Sequence, residues 1–284
     1  MAESNPNSGL EALPYTVVRI RAGDPNNLAT FHSGTGFFYV LKIGVVDVPL
    51  IVSNRHVLCG KTWIEIDFAS ADGQGVRIFG PPLKVRIEAG QLPIFEHSDP
   101  LVDLAAIPLN PLLESLEGCG KKPHAPCLSR SLFIPDHQQT VLHAATSVLM
   151  VGFPNGIMDE VNNLPVVRRG TLATHYKADY LGATNFVVDI AAFGGSSGSP
   201  VFAYFENMFT DEKGNTNFFG GVIFHLIGVL HSGPIITANG KIVPAPVPTG
   251  SHIAQTNMSI HLGYCVKAFR IEELRSVIEP HVTQ

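Results

Sequence analysis

From Tyr15 onward the chain is a succession of short apolar runs, each rich in β-branched or aromatic residues and each cut off by Gly, Pro, Asn or Asp. YTVVRI, TGFFYVL, VPLIVSN, TWIEIDF, LKVRIEA and VDLAAI follow one another as far as Pro108. SVLMVGF, PVVRRGTLAT, NFVVDIA, SPVFAYF and VIFHLIGVL then repeat the texture. Such side chains suit a pleated, half-buried surface, and the breakers between them mark turns. The 27 glycines and 21 prolines spread among 284 residues supply those turns. The pattern predicts an all-β protein of two lobes, with enough chain to bury a core.

The expected boundaries follow composition. Residues 1–13 are polar and read as a flexible tail, 14–125 as the first β lobe, 126–143 as a connector, 144–267 as the second lobe, and 268–284 as a terminal helix and tail. Within the first lobe NPLLESLEG reads as a short helix or turn, and in the second NMFTDEKGNTN reads as a hairpin loop. In the last segment Ile271, Leu274, Val277 and Ile278 recur at spacings of three and four, with Pro280 as the expected stop.

Charge and cysteine usage exclude several functions. The net charge of −5 comes with no basic run, so neither nucleic acid nor an anionic membrane surface is an expected partner. No apolar stretch is long enough to span a bilayer; Val45 to Val52 is interrupted by Asp47 and Pro49. The opening MAESNPNSGLEALPY lacks the basic start and apolar core of a secretion signal, which predicts a cytoplasmic protein. Cys59, Cys119, Cys127 and Cys265 are scattered, as free thiols of a reducing compartment would be. Cys119, His124 and Cys127 offer a partial metal-ligand set without an evident fourth member, and no H-E-x-x-H pairing occurs, so no metal or organic cofactor is expected.

Three segments place a reactive polar residue among apolar or small ones: His56 in IVSNRHVL, Asp103 in DPLVDLAAIPL and Ser197 in FGGSSGSPVF. A serine hydroxyl becomes a useful nucleophile near neutral pH when an imidazole takes its proton and a carboxylate holds that imidazole in one tautomer. Backbone N–H groups in a Gly-rich turn can stabilise the resulting oxyanion. Asp99 rivals Asp103 for the acid, but Asp103 has the apolar neighbours that suit a buried carboxylate. Ser196, Ser197 and Ser199 are all candidate nucleophiles on chemistry alone.

SGTGFF at 33–38, SNRHV at 53–57, DLAAI at 103–107 and GGSSGSPVF at 194–202 together resemble the chymotrypsin-type serine peptidases, in the His, Asp, Ser order of that fold. DIAAFGGSSGSPVF and MVGFPNG are most similar to the bacterial glutamyl endopeptidase branch. The resemblance implies two antiparallel six-stranded β-barrels with a C-terminal helix. It also implies His56, Asp103 and Ser197 as catalytic residues, and the N–H groups of Gly195 and Ser197 as the oxyanion hole. Ser196 stands where animal digestive enzymes carry an aspartate that pairs with a new N-terminus, so activation by that ion pair is not expected.

For substrate, the resemblance implies Ala191, Ala192 and Phe193 on one side of the primary pocket and the strand at His231, Ser232 and Gly233 on the other. Ala191 stands where a trypsin has its basic-selecting aspartate. An ungapped match puts Leu230 where glutamyl endopeptidases use a histidine, so His231 reaches the pocket only through a local bulge. The expected activity is peptide-bond hydrolysis in a protein or peptide substrate, with narrow specificity or control by a partner protein, in a stress or defence module of a bacterium. The competing expectation is a catalytically silent module that holds peptides in the same cleft.

Overall fold

The apolar runs pair into two antiparallel lobes in a computed structural model that describes residues 9–24, 27–210, 213–241 and 253–282. The first sheet contains β1 (Val17–Asp24), β2 (Asn27–Ile43), β3 (Val46–Ser53), β4 (Trp63–Ala71), β5 (Arg77–Glu88), β6 (Phe95–Glu96), β7 (Ala105–Pro108), β8 (Pro123–His124) and β9 (Leu128–Ser129). Its order is β5-β4-β1-β2-β3-β7-β6, with β8 on β4 and β9 on β2. Six strands carry the lobe; β6, β8 and β9 are two-residue additions that periodicity does not reveal. Alternation sets the faces. Val18, Ile20 and Ala22 point into a cluster with Ile64, Ile66 and Phe68, whereas Arg19 and Arg21 lie on the opposite face, largely covered, and pair with Asp67 and Glu65 on β4.

The second lobe is a closed barrel of β10 (Ser147–Gly152), β11 (Val166–Leu172), β12 (Asn185–Asp189), β13 (Pro200–Thr210), β14 (Thr216–Ser232) and β17 (Leu262–Lys267), while β15 (Ile235–Lys241) and β16 (Ile253–Ser259) form a separate hairpin. NMFTDEKGNTN is less of a loop than its polarity suggests: β13 and β14 pair out to Thr210 and Thr216.

The lobes share a core. Phe37, Tyr39, Leu50 and Val52 of the first pack in one cluster with Leu149, Val151, Phe202 and Leu226 of the second and with Ile271, Leu274 and Ile278 near the C-terminus. The connector is ordered rather than loose. Leu128 and Ser129 pair in parallel with Tyr39 and Val40 of β2, and Phe133 bridges to Leu226 of β14. Residues 1–8 of the expected tail lie outside the described residues, but Leu10–Tyr15 form a 3-10 turn that buries Ala12 and Leu13.

Helices occupy the edges. α1 (Arg55–Leu58) follows β3 at once, and α2 (Asn110–Gly118) starts with Pro111 in its first turn and buries Leu112 and Leu116, four residues apart. The C-terminal segment is a 3-10 stretch over Ala268–Leu274 running into α3 (Arg275–Val282). Pro280 lies inside α3 and does not stop it. Pro280 is the sixth residue of the described helix, and the hydrogen bond its missing N–H forgoes is the one to the Ser276 carbonyl in the first turn.

Candidate active site

β3 and β7 are antiparallel neighbours in a register that sets Ser53 opposite Ala105. The chain leaves β3 through Asn54 into α1, carrying His56, and enters β7 through Asp103, so sheet pairing alone brings the imidazole and the carboxylate to one edge. His56 Nδ1 lies 2.6 Å from Asp103 Oδ2, and the His56 backbone N–H donates to Asp103 Oδ1 at 3.1 Å. Asn54 Nδ2 donates to the Asp103 carbonyl at 2.8 Å, fixing the backbone under the acid.

Burial pushes the Asp103 carboxyl up, but the hydrogen bonds and charge of His56, with a smaller contribution from His231, outweigh it and hold the group below the usual carboxylate range. Asp99, the rival acid, is used elsewhere: it pairs with Arg270 at 2.7 Å and accepts from the Leu101 N–H.

Ser197 sits in the turn between β12 and β13. Gly198 has φ +88°, and a Cβ there would lie 2.0 Å from the Thr35 carbonyl oxygen, so the residue behind Ser197 must be glycine. The Ser197 hydroxyl donates to the His231 carbonyl at 3.2 Å and is not hydrogen-bonded to His56. Burial weighs most on the His231 pKa; the charge of Asp103 raises it and that of His56 lowers it, both by less. Ser196 and Ser199 are buried, with their hydroxyl oxygens unpartnered. Neither the Gly195 nor the Ser197 backbone N–H is engaged by another described residue.

The β14–β17 register slips by one residue between Leu230 and Ser232, which places a bulge at His231. The His231 ring lies beside Tyr264, with centroids 6.3 Å apart, and its Nδ1 meets Ser232 Oγ at 2.9 Å. Burial lowers its pKa. Ser232 is exposed and Gly233 half-buried where β14 ends.

Of the alanines expected to line the pocket, Ala191 is half-buried and Ala192 belongs to the barrel core with Leu230, Val188 and Ile190. Phe193 is exposed, against His261 on one side and the Arg168 guanidinium on the other. A Cβ at Gly263 would lie 2.5 Å from Leu230 Cδ1 and 3.6 Å from the Ala192 Cβ. Leu230, which the ungapped match already set at the pocket strand, and Gly263, which the sequence did not single out, therefore set the space beside Ala192.

A model of the trypsin-like peptidase domain matches residues 34–207. The chain belongs to the trypsin-like peptidase family. No curated protein matches it. Among solved structures, the "Crystal structure of Rv3671c protease, inactive form" is similar over 95% of this chain and 90% of its own, at 15% identity and a TM-score of 0.43. The trypsin-like chain carries four free thiols: Cys265 is buried, Cys59 and Cys127 are half-buried and Cys119 is exposed. His124 Nδ1 faces the Gly75 carbonyl, and among the described residues no cluster of three or more His, Cys, Asp or Glu side chains is arranged to hold a metal ion. No described helix is long and apolar enough to cross a membrane.

Proposed function

We propose that this trypsin-like chain is a serine endopeptidase in which Ser197 is the nucleophile, His56 the general base and acid, and Asp103 the group that orients His56. The observation that carries the reading is the 2.6 Å contact of His56 Nδ1 with Asp103 Oδ2, in a chain whose glycine-rich turn leaves the Gly195 and Ser197 N–H groups unengaged by any other described residue. On substrate binding the Ser197 hydroxyl turns from the His231 carbonyl to His56 Nε2, a tightening expected of an apo site. Oγ attacks the scissile carbonyl as its proton passes to Nε2, and the N–H groups of Gly195 and Ser197 receive the oxyanion. His56 then protonates the departing amine, and water hydrolyses the acyl-enzyme by the same route reversed.

For the residue preceding the scissile bond, the proposed preference is small and apolar. Leu230, at the position where an ungapped match puts the recognising histidine of glutamyl endopeptidases, lies with Ala192 beside Gly263, so apolar side chains and not a charge-recognising group stand at that position. A fluorophosphonate probe tests the chemistry: the wild-type chain is labelled at Ser197 and the Ser197→Ala chain is not. Cleavage profiling on a peptide library tests the preference; enrichment of Glu before the cut would refute it. No labelling under any condition, including with candidate partner proteins present, would favour the silent peptide-binding alternative.

A further inference from the structure

The turn carrying Ser197 includes no charged residue by which it could be tied down; Ser196, just before the nucleophile, is 1% exposed and its hydroxyl has no hydrogen-bond partner. Leu230 of β14 holds the far end of the turn, accepting from the Gly198 N–H at 2.8 Å and donating to the Ser199 carbonyl at 2.9 Å, and the Gly195 and Ser197 carbonyls are held by Thr35 of β2, in the other lobe. Thr35 is fully buried. Its N–H donates to the Ser197 carbonyl at 2.8 Å, and its carbonyl accepts from Ser53 Oγ at 2.6 Å. Its hydroxyl donates to the Gly195 carbonyl at 3.0 Å and accepts from the Phe153 N–H at 3.1 Å.

Phe153 leads into Pro154–Gly156, where Asn155 adopts φ +49° and its N–H donates to the Gly194 carbonyl at 2.5 Å. Across from it, Phe193–Ser196 forms a turn closed by the Ser196 N–H on the Phe193 carbonyl at 3.1 Å, with Gly195 third in the turn at φ +80°. That is type II geometry. A trans peptide points its C=O and N–H in opposite directions. Holding the Gly194 carbonyl on Asn155 therefore aims the Gly195 N–H away from the 153–156 segment, and holding the Gly195 carbonyl on Thr35 fixes the next peptide plane.

We propose that the Thr35 hydroxyl is the positioning group that presets the oxyanion-binding peptide Gly194–Gly195, by joining the nucleophile turn to the segment that carries Asn155. The proposal rests on the serine-peptidase reading for its catalytic meaning. In this chain an uncharged hydroxyl, in place from the moment of folding, does what an ion pair behind the serine does where that serine follows an aspartate.

Thr35→Val keeps the side-chain shape and removes the hydroxyl; Thr35→Ser keeps the hydroxyl. Each variant is crystallised and assayed beside wild type with a fluorophosphonate and with a peptide taken from cleavage profiling. The expected result for valine is a reoriented Gly194–Gly195 peptide and a loss of about 100-fold in kcat with KM changed by less than about threefold, while serine stays within about threefold of wild type in both. A folded valine variant with that peptide unmoved, or with kcat unchanged, overturns the proposal, as does a serine variant as impaired as valine. If valine does not fold, Asn155→Val, with Asn155→Gly as its rescue, is read by the same criteria. A wild-type chain that never labels at Ser197 removes the peptidase reading, while the peptide orientation in the crystals still decides the role of Thr35.

Discussion

His56 grips Asp103 twice, through its ring and through its own backbone N–H, at 2.6 and 3.1 Å. The double contact fixes both the tautomer of the imidazole and the helical turn beneath it. Asp103→Asn is therefore expected to lower kcat by roughly four orders of magnitude with little change in KM, because the amide favours the wrong tautomer. Asp99→Asn, which cuts only the pair with Arg270, is expected to leave kcat within about twofold. Steady-state kinetics on both variants separates the two carboxylates, and an equal loss in each would remove Asp103 from its role.

Acid should weaken the fold before it reaches the carboxylates. Burial is the largest cause holding His97, His124, His225 and His231 below the usual imidazole value. The unfolded chain takes up protons at these sites near pH 6.5, where the folded chain does not, so below that pH the unfolded state carries more protons and stability falls as pH falls. Urea midpoints should be level from about pH 8 to 7 and decline from about pH 6.5 to 5. His225→Gln should make that decline shallower; an unchanged slope would exclude His225 as a contributor.

Thiol chemistry should single out one cysteine. Burial pushes Cys59 up to about 12 and Cys127 up to about 11, and raises Cys265, which is fully buried; Glu96 adds to the effect at Cys59. A thiol reacts as its thiolate. Iodoacetamide at about pH 8 is expected to alkylate exposed Cys119 in the native chain and the other three only after denaturation. Mass spectrometry of the intact protein checks the count.

The C-terminal segment fastens onto the first lobe through Tyr39 Oη to Glu272 Oε1 at 2.5 Å and Arg270 to Asp99 at 2.7 Å. Ile271, at 0% exposure, packs in the core shared by the lobes. Ile271→Ala should cost about 3 kcal/mol in urea denaturation, from lost transfer energy and the cavity left behind. A cost below about 1 kcal/mol would show that the site collapses around the gap.

The lobes, the chain order of His56, Asp103 and Ser197, and the glycine-rich turn around Ser197 are legible in the sequence because each leaves a local mark: alternation, a polar residue ending an apolar run, a cluster of glycines and serines. Thr35 leaves none. Within SGTGFF it is one more strand residue, and its partner Gly195 is 160 residues away. The bulge at His231 is hidden for a related reason, since a register slip is defined by the partner strand β17 and not by β14 itself. Pro280 misleads because a proline removes one hydrogen bond of a helix without always ending it, and α3 is described through it to Val282. The pairing of Leu128 with Tyr39 escapes because two residues are too few to show any period.

That last pairing, with the bridge from Phe133 to Leu226, makes the span between the halves a weld. The halves are expected to keep their mutual orientation while the substrate enters. An agent that governs such a molecule, whether a regulator or its own cargo, is then expected to act on the surface loops around the groove rather than by swinging one half against the other.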